Sequence, residues 1–150
     1  MKQKQTAIVR SQRELAPNIY DMWIETALAA QAKPGQFICV YPRDKSTLLP
    51  RPISVCEVAG DRTALRIVYR VAGQGTAEFS AYEKGENIAI LGMLGNGFPA
   101  EAAKGKKVFL MGGGIGIPPM LQLAKALSLP AENIQVVVGY RDSRTFLKED

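Results

Sequence analysis

Up to about residue 100, apolar and polar residues alternate with the two-residue period of half-buried strands. β-Branched and aromatic runs at residues 6–10, 19–26, 36–41, 53–58, 64–71 and 87–91 predict six short strands. Turn residues punctuate them: Pro34-Gly35, Gly60-Asp61, Gly73-Gln74-Gly75 and Lys84-Gly85-Glu86. In the fifth run Thr63, Leu65, Ile67, Tyr69 and Val71 form an apolar face. Ala64, Arg66, Val68 and Arg70 form the other, expected to be largely solvated, as in a small closed Greek-key β-barrel. One helix over residues 76–82 interrupts the strands, with Phe79 and Tyr82 three apart and Gly85 beyond its end.

After Pro99 the period changes. Residues 107–111 form an apolar strand, 112–116 a glycine turn, and 118–127 a helix with Leu121, Ala124 and Leu127 on one stripe. Residues 134–140 then form a continuous apolar strand, the pattern of a strand covered on both faces. Strand, glycine turn, helix and strand make a βαβ unit, the opening of a Rossmann-like α/β sheet. Residues 141–150 read as the next turn and the start of a second helix, so the α/β unit is incomplete and the chain reads as truncated. Two strands and one helix leave an apolar face uncovered. The expected division is a β-barrel domain over 1–99 and a partial nucleotide-binding α/β domain over 100–150.

Composition narrows the chemistry. The 150 residues, 47% hydrophobic and 22% charged, fit one domain or two small ones. Nineteen Lys and Arg against fourteen Asp and Glu leave a charge of +5, which favours anions such as phosphates. The absence of histidine excludes Ser-His-Asp, Cys-His and His-rich zinc chemistry. Cys39 and Cys56 form no C-x-x-C pair and are expected to be buried thiols in a reducing compartment. The polar start of the chain and the lack of an apolar run of about 18 residues point to the cytoplasm, with no metal site and no membrane span.

Four segments could carry chemistry. Arg51-Pro52-Ile53-Ser54 opens a strand; an arginine fork can grip a diphosphate, and a serine hydroxyl can reach a heterocycle nitrogen. The alternative is an exposed arginine beside an edge proline. Val68-Tyr69-Arg70 runs through Gly73-Gln74-Gly75 into a helix start at Thr76, where free N–H groups suit a phosphate. It also reads as a capped helix after a flexible turn, with Tyr69 in the core. Gly112-Gly113-Gly114-Ile115-Gly116-Ile117-Pro118-Pro119 is a G-x-G-x-x-P variant of the dinucleotide loop, and no Lys-Ser/Thr pair makes it a Walker loop. Gly92–Phe98 joins the two regions, Phe98 serving either as a ring stack or as packing at the junction.

In this order the segments resemble the ferredoxin-reductase-like flavoproteins. Arg51-Pro52-Ile53-Ser54 is similar to that family's R-x-x-S flavin motif, and Pro34-Gly35-Gln36-Phe37 to the lead-in to its preceding strand. Residues 67–71, Gly73-x-Gly75-Thr76, Leu94-Gly95-Asn96-Gly97-Phe98 and the glycine loop most resemble the electron-transfer subunits of type B dihydroorotate dehydrogenases. The resemblance implies a hetero-oligomer with a catalytic, flavin-containing dihydroorotate dehydrogenase subunit, from which electrons pass through a [2Fe–2S] cluster to FAD and then NAD. By the same resemblance, Arg51 to Ser54, Val68, Tyr69 and Arg70 hold FAD. Gly75 and Thr76 offer N–H groups to its pyrophosphate, and Gly112, Gly113, Gly114 and Gly116 receive NAD. The four cluster-binding cysteines of the family have no counterpart in this sequence, so the cluster is not carried over. Hydride exchange between stacked rings needs orientation more than an acid or base, which suits a chain without histidine. Two other readings remain open: a related NAD(P)H-dependent reductase with another acceptor, and a non-enzymatic basic barrel that binds RNA or protein.

Overall fold

The computed structural model describes residues 3–44 and 49–145. Among them, six antiparallel strands close into a barrel: β1 (Gln5–Ala16), β2 (Ile19–Glu25), β3 (Phe37–Tyr41), β4 (Arg51–Val58), β5 (Ala64–Arg70) and β6 (Asn87–Leu94). They run β1-β2-β5-β4-β3-β6 around the wall, and β6 pairs back onto β1. The β2-to-β5 neighbour relation is the crossing of a Greek key. The wall encloses a core of Val9, Met22, Ile24, Ile38, Val55, Leu65 and Ile67, all nearly inaccessible to solvent.

The first strand is more than twice as long as its apolar run suggests. Register shifts at Val9/Ser11 and Glu14/Ala16 let the polar stretch Ser11–Glu14 stay paired with β2. Such bulges insert a residue and reverse which face the following side chains occupy. A strand with a change of phase loses the alternation by which it is read from sequence.

Helix α1 (Gln74–Ser80) starts two residues before the expected position and sets Phe79 in the barrel core. Thr76 is therefore not the residue before the helix but its third. Its hydroxyl folds back to accept from the Ala72 and Gly73 amides at 2.9 and 3.2 Å.

The solvated face expected on β5 is not solvated: Ala64, Arg66 and Val68 are all buried, and only Arg70 is exposed. Two things cover it. Asp21 on β2 receives the Arg66 guanidinium through Nε at 2.8 Å and Nη2 at 3.1 Å. Helix α2 (Pro118–Ala126) then packs on the outside of the barrel, where Leu121 meets Val68, Cys56 and Ile19. Its Gln122 side chain accepts the Val58 amide at 2.9 Å, and Lys125 pairs with Glu57. The expected single stripe on this helix is thus two: Leu121 serves the barrel, while Leu123, Ala124 and Leu127 pack on the small sheet.

That sheet is parallel, β7 (Val108–Gly113) beside β8 (Ile134–Gly139), with α2 as the crossover between them. Continuous apolarity in β8 suggested cover on both faces, but Val136, Val137 and Val138 are 52%, 43% and 41% exposed. With one helix packed on two strands, an apolar face stays bare, as the element count required; Phe109 and Met111 stand on it at 64% and 71% exposure. The helix expected over 141–150 lies partly outside the described residues, which end in the 3₁₀ turn Ser143–Thr145.

Candidate cofactor site

Arg51 begins β4, opposite Val40 of β3, and its side chain leaves the barrel wall toward α1. Its Nη1 donates to the Leu49 carbonyl, which fixes the plane of the guanidinium. The rest of the head lies against Gly75: a Cβ there would sit 3.1 Å from Nε and 3.2 Å from Cζ and Nη2. Gly75 is the second residue of α1, and hydrogen bonding within this helix begins only at Ala77, whose amide reaches the Gly73 carbonyl at 2.9 Å. The amides of Gly75 and Thr76 thus belong to the first turn and have no acceptor within the helix. A fixed cation and two such donors meet at one place, drawn from segments that the chain separates by more than twenty residues.

A second feature lies beside it in the wall. The β4–β5 register runs only from Val55↔Ile67 to Val58↔Leu65. Beyond it, Arg51–Ser54 pairs with β3 alone and the residues from Val68 to Arg70 pair with β2 alone. The Val55 amide points to Gln36 and the Val71 amide to Asn18, so antiparallel alternation turns the amides of Ser54, Val68 and Arg70 toward the gap between β4 and β5. Two strand edges with free hydrogen-bonding direction face each other there. Ser54, Pro52 and Arg70 are exposed around this opening.

Not every residue singled out from sequence faces it. Ile53, 7% exposed, points into the barrel core. Tyr69, 3% exposed, does the same: its ring stacks on Tyr20 at 5.8 Å, and its backbone pairs with Tyr20 as well. Burial raises the Tyr69 phenol above its ordinary pKa, so it stays a neutral donor. Val68 is buried under α2, so it too offers the opening only backbone. The reason is the strand period: in three consecutive residues one must point away from the other two.

The loop after β3 is tied to the same helix. Glu78 accepts the amides of Arg43 and Asp44, and Arg43 stacks its guanidinium 4.1 Å from the centre of the Tyr82 ring while bonding Glu86 at 2.9 Å. The Glu83 amide and Arg43 hold the Glu86 carboxyl below the usual glutamate range. Glu78 carried no sequence signal, since a glutamate on a short helix reads as surface.

The glycine loop lies against β5, its 3₁₀ turn covering Gly114–Gly116. Gly112 is required by packing: a Cβ would lie 3.0 Å from the Ile117 Cα and 3.1 Å from the Gly116 carbonyl. Gly114 has φ of 51°, in the left-handed region. Gly113 and Gly116 are exposed. Phe98 covers Gly35, where a Cβ would come within 2.5 Å of its ring, while Phe98 itself stays 42% exposed. Cys56 is buried and Cys39 only partly so, and among the described residues no three His, Cys, Asp or Glu side chains gather as a metal site.

No family model matches the chain. Individual proteins do. The chain is 38% identical over 148 residues to the electron transfer subunit of dihydroorotate dehydrogenase B (NAD(+)) from Streptococcus mutans, covering 98% of this chain and 57% of that protein. The subunit of the same name from Bacillus mycoides is 38% identical, with 100% of this chain and 59% of the relative covered. The chain therefore spans under three fifths of the length of these relatives. Among solved structures, the NADH-dependent reduced ferredoxin–NADP oxidoreductase, described for flavin-based electron bifurcation, superposes with a TM-score of 0.78 at 27% identity. That match covers 96% of this chain and 51% of the other, and carries the barrel-plus-nucleotide-domain fold of ferredoxin-reductase-like proteins.

Proposed function

We propose that this chain, homologous over its whole length to the electron transfer subunits of dihydroorotate dehydrogenase B, binds FAD along the β4–β5 opening and relays electrons through it. The observation that carries the reading is the Arg51 head seated on Gly75 beside that opening. A diphosphate needs a fork of donors with matched charge, and the Arg51 guanidinium next to the Gly75 and Thr76 amides supplies one. A flat heterocycle with donors and acceptors along its rim needs backbone groups on both sides, and the unpaired edges at Ser54 and at Val68 and Arg70 supply those. The residues present fit FAD.

In this assignment Arg51, Gly75 and Thr76 hold the pyrophosphate. Ser54, through its hydroxyl and amide, and the backbone of Val68 and Arg70 orient the ring, while Pro52 and Ile53 shape the strand that presents them. Tyr69 acts from inside, keeping its strand in register. Bound FAD supplies a ring that accepts and releases electrons singly or in pairs. Gly112, Gly113, Gly114 and Gly116, on the loop that lies against β5, receive the dinucleotide NAD, so residues 1–99 act as the flavin domain and 100–150 as part of the nicotinamide domain. The electron donor is a catalytic dihydroorotate-oxidising subunit, the partner suggested by the relatives' name. No [2Fe–2S] cluster is assigned to Cys39 and Cys56. Among the described residues no helix is long and apolar enough to cross a membrane; two cysteines with no C-x-x-C pattern fit action in a reducing compartment such as the cytoplasm.

A second reading, an NAD(P)H-dependent reductase with another acceptor, draws support from the likeness to the ferredoxin–NADP oxidoreductase. Copurification with a dihydroorotate-oxidising subunit separates the two. For the cofactor, titration of the purified chain with FAD is expected to give a yellow complex whose retention drops in R51A. A chain that stays colourless in excess FAD refutes the assignment.

A further inference from the structure

The pyrophosphate-binding turn is carried by a helix of seven residues, too short to hold a position through its own hydrogen bonds. Its place depends on what ties its ends. The first turn is tied by Thr76, and Glu78 in the second turn holds the loop after β3. The C-terminal end is tied by a side chain from β1, the strand whose Val9 backbone bonds Gly85 and Glu86 just beyond the helix. Gln12 of β1 donates through Nε2 to the carbonyls of Phe79 at 3.1 Å, Ser80 at 3.2 Å and Tyr82 at 2.9 Å. The Ser80 and Tyr82 carbonyls lie at and just beyond the end of the helix, and the Phe79 carbonyl also accepts from the Tyr82 amide at 3.1 Å. The same amide accepts through Oε1 from the Tyr69 hydroxyl at 2.7 Å.

Gln12 reaches this place because of the first β1 bulge. The register step between Val9 and Ser11 puts Gln12 opposite Met22, a fully buried residue, so the glutamine faces inward with it. An unbulged strand would keep the phase of Ala7 and Val9 and point residue 12 outward. The bulge thus delivers one amide, donor at one end and acceptor at the other, between α1 and the C-terminal end of β5. Phe79 packs edge-on to Tyr69 at 6.1 Å and closes the same junction.

We infer that Gln12 is a positioning residue for the flavin site, setting the spacing between the Gly75–Thr76 turn and the Val68–Arg70 edge by bridging the end of α1 to Tyr69. The inference rests on the FAD assignment above. Glutamine is required in this role: a glutamate has no N–H to give three carbonyls, and an apolar residue gives neither half of the bridge.

The test uses Q12M, Q12E and, as control, V9A, which removes core packing from the same strand and leaves the Gln12 bridge in place. FAD affinity of the folded chain is measured by flavin fluorescence, and exchange of the Ala77, Ala81 and Tyr82 amides by hydrogen–deuterium exchange without flavin. Both Gln12 variants are expected to weaken FAD roughly tenfold, the loss of one or two net hydrogen bonds, and to speed exchange in α1 while β3 and β6 stay protected. V9A is expected to lower the melting temperature and leave FAD affinity unchanged. In an R51A background the Q12M effect shrinks, because the spacing matters only while the guanidinium uses it. Equal FAD affinity of Q12M and the parent overturns the inference, as does an equal loss in V9A. If the parent takes up no flavin, the cofactor assignment fails, and the exchange arm decides the tether alone: unchanged α1 exchange in Q12M refutes it. Should Q12E fail to fold, Q12M carries the same comparison.

Discussion

Replacing Gly75 by alanine separates what helps the helix from what helps the ligand. Its backbone has an ordinary helical conformation, so a methyl group strains nothing locally and relieves the entropy cost of glycine. That gain is about 1 kcal/mol in a helix interior and smaller in a first turn. The added Cβ would lie 3.1–3.2 Å from the Arg51 head, closer than the roughly 3.5–4.0 Å of comfortable contact. The neighbour is the end of a flexible side chain, so the guanidinium gives way by a few tenths of an ångström and the fold is kept. The free chain should therefore be as stable as the parent, or more so by about 0.5 kcal/mol. The FAD complex should be weaker. A charge-assisted hydrogen bond contributes about 1.5–3 kcal/mol, and a displaced fork that loses half of one costs about 0.7–1.5 kcal/mol, a three- to tenfold rise in Kd. R51A, which removes the fork, should cost roughly a hundredfold by the same scale. Urea midpoints report the first quantity and fluorescence titration the second. If G75A binds FAD like the parent while R51A does not, the seat on Gly75 plays no part in holding the phosphate, and the geometry has been misjudged.

Three further outcomes follow from other parts of the molecule. D21N takes the bidentate carboxylate from the buried Arg66 guanidinium and leaves it Glu57 at 3.3 Å, so it should cost about 1–3 kcal/mol in urea unfolding. K125M, whose ammonium is about half exposed, should cost at most about 1 kcal/mol. G112A would set a methyl 3.0 Å from the Ile117 Cα, backbone that cannot swing aside; it should destabilise the α/β unit by about 1–3 kcal/mol, with barrel amides keeping their exchange protection. Glu86 is held below its ordinary pKa by the Glu83 amide and Arg43. Its folded pKa lies under the unfolded one, so its contribution is present above about pH 4.3 and is lost as pH falls through the folded value. E86Q should flatten the acid limb of a stability–pH curve, and an unchanged limb would contradict the assignment.

Much of this protein can be read along the chain, where information is local. Strand period, turn glycines and the shift to a βαβ pattern depend on neighbours in sequence, and among the described residues they located the strands other than β1 and the two α-helices to within a few residues. Arg51, Ser54, Gly75 and Thr76 stood out less by themselves than through the order of their segments, which resembles that of the ferredoxin-reductase-like flavoproteins. What sequence could not supply was the outcome of closing the barrel. That Arg66 and Val68 are buried depends on Asp21 and on α2, which approach from 45 and from more than fifty residues away. That Tyr69 turns inward while Val68 and Arg70 turn outward depends on which side of β5 became the core. Gln12 looked like one more polar residue in a polar stretch, and only a single inserted residue in β1 sends it to the core side. Side-chain chemistry is written in the sequence, but its direction is set by register, and register is settled only when distant strands pair.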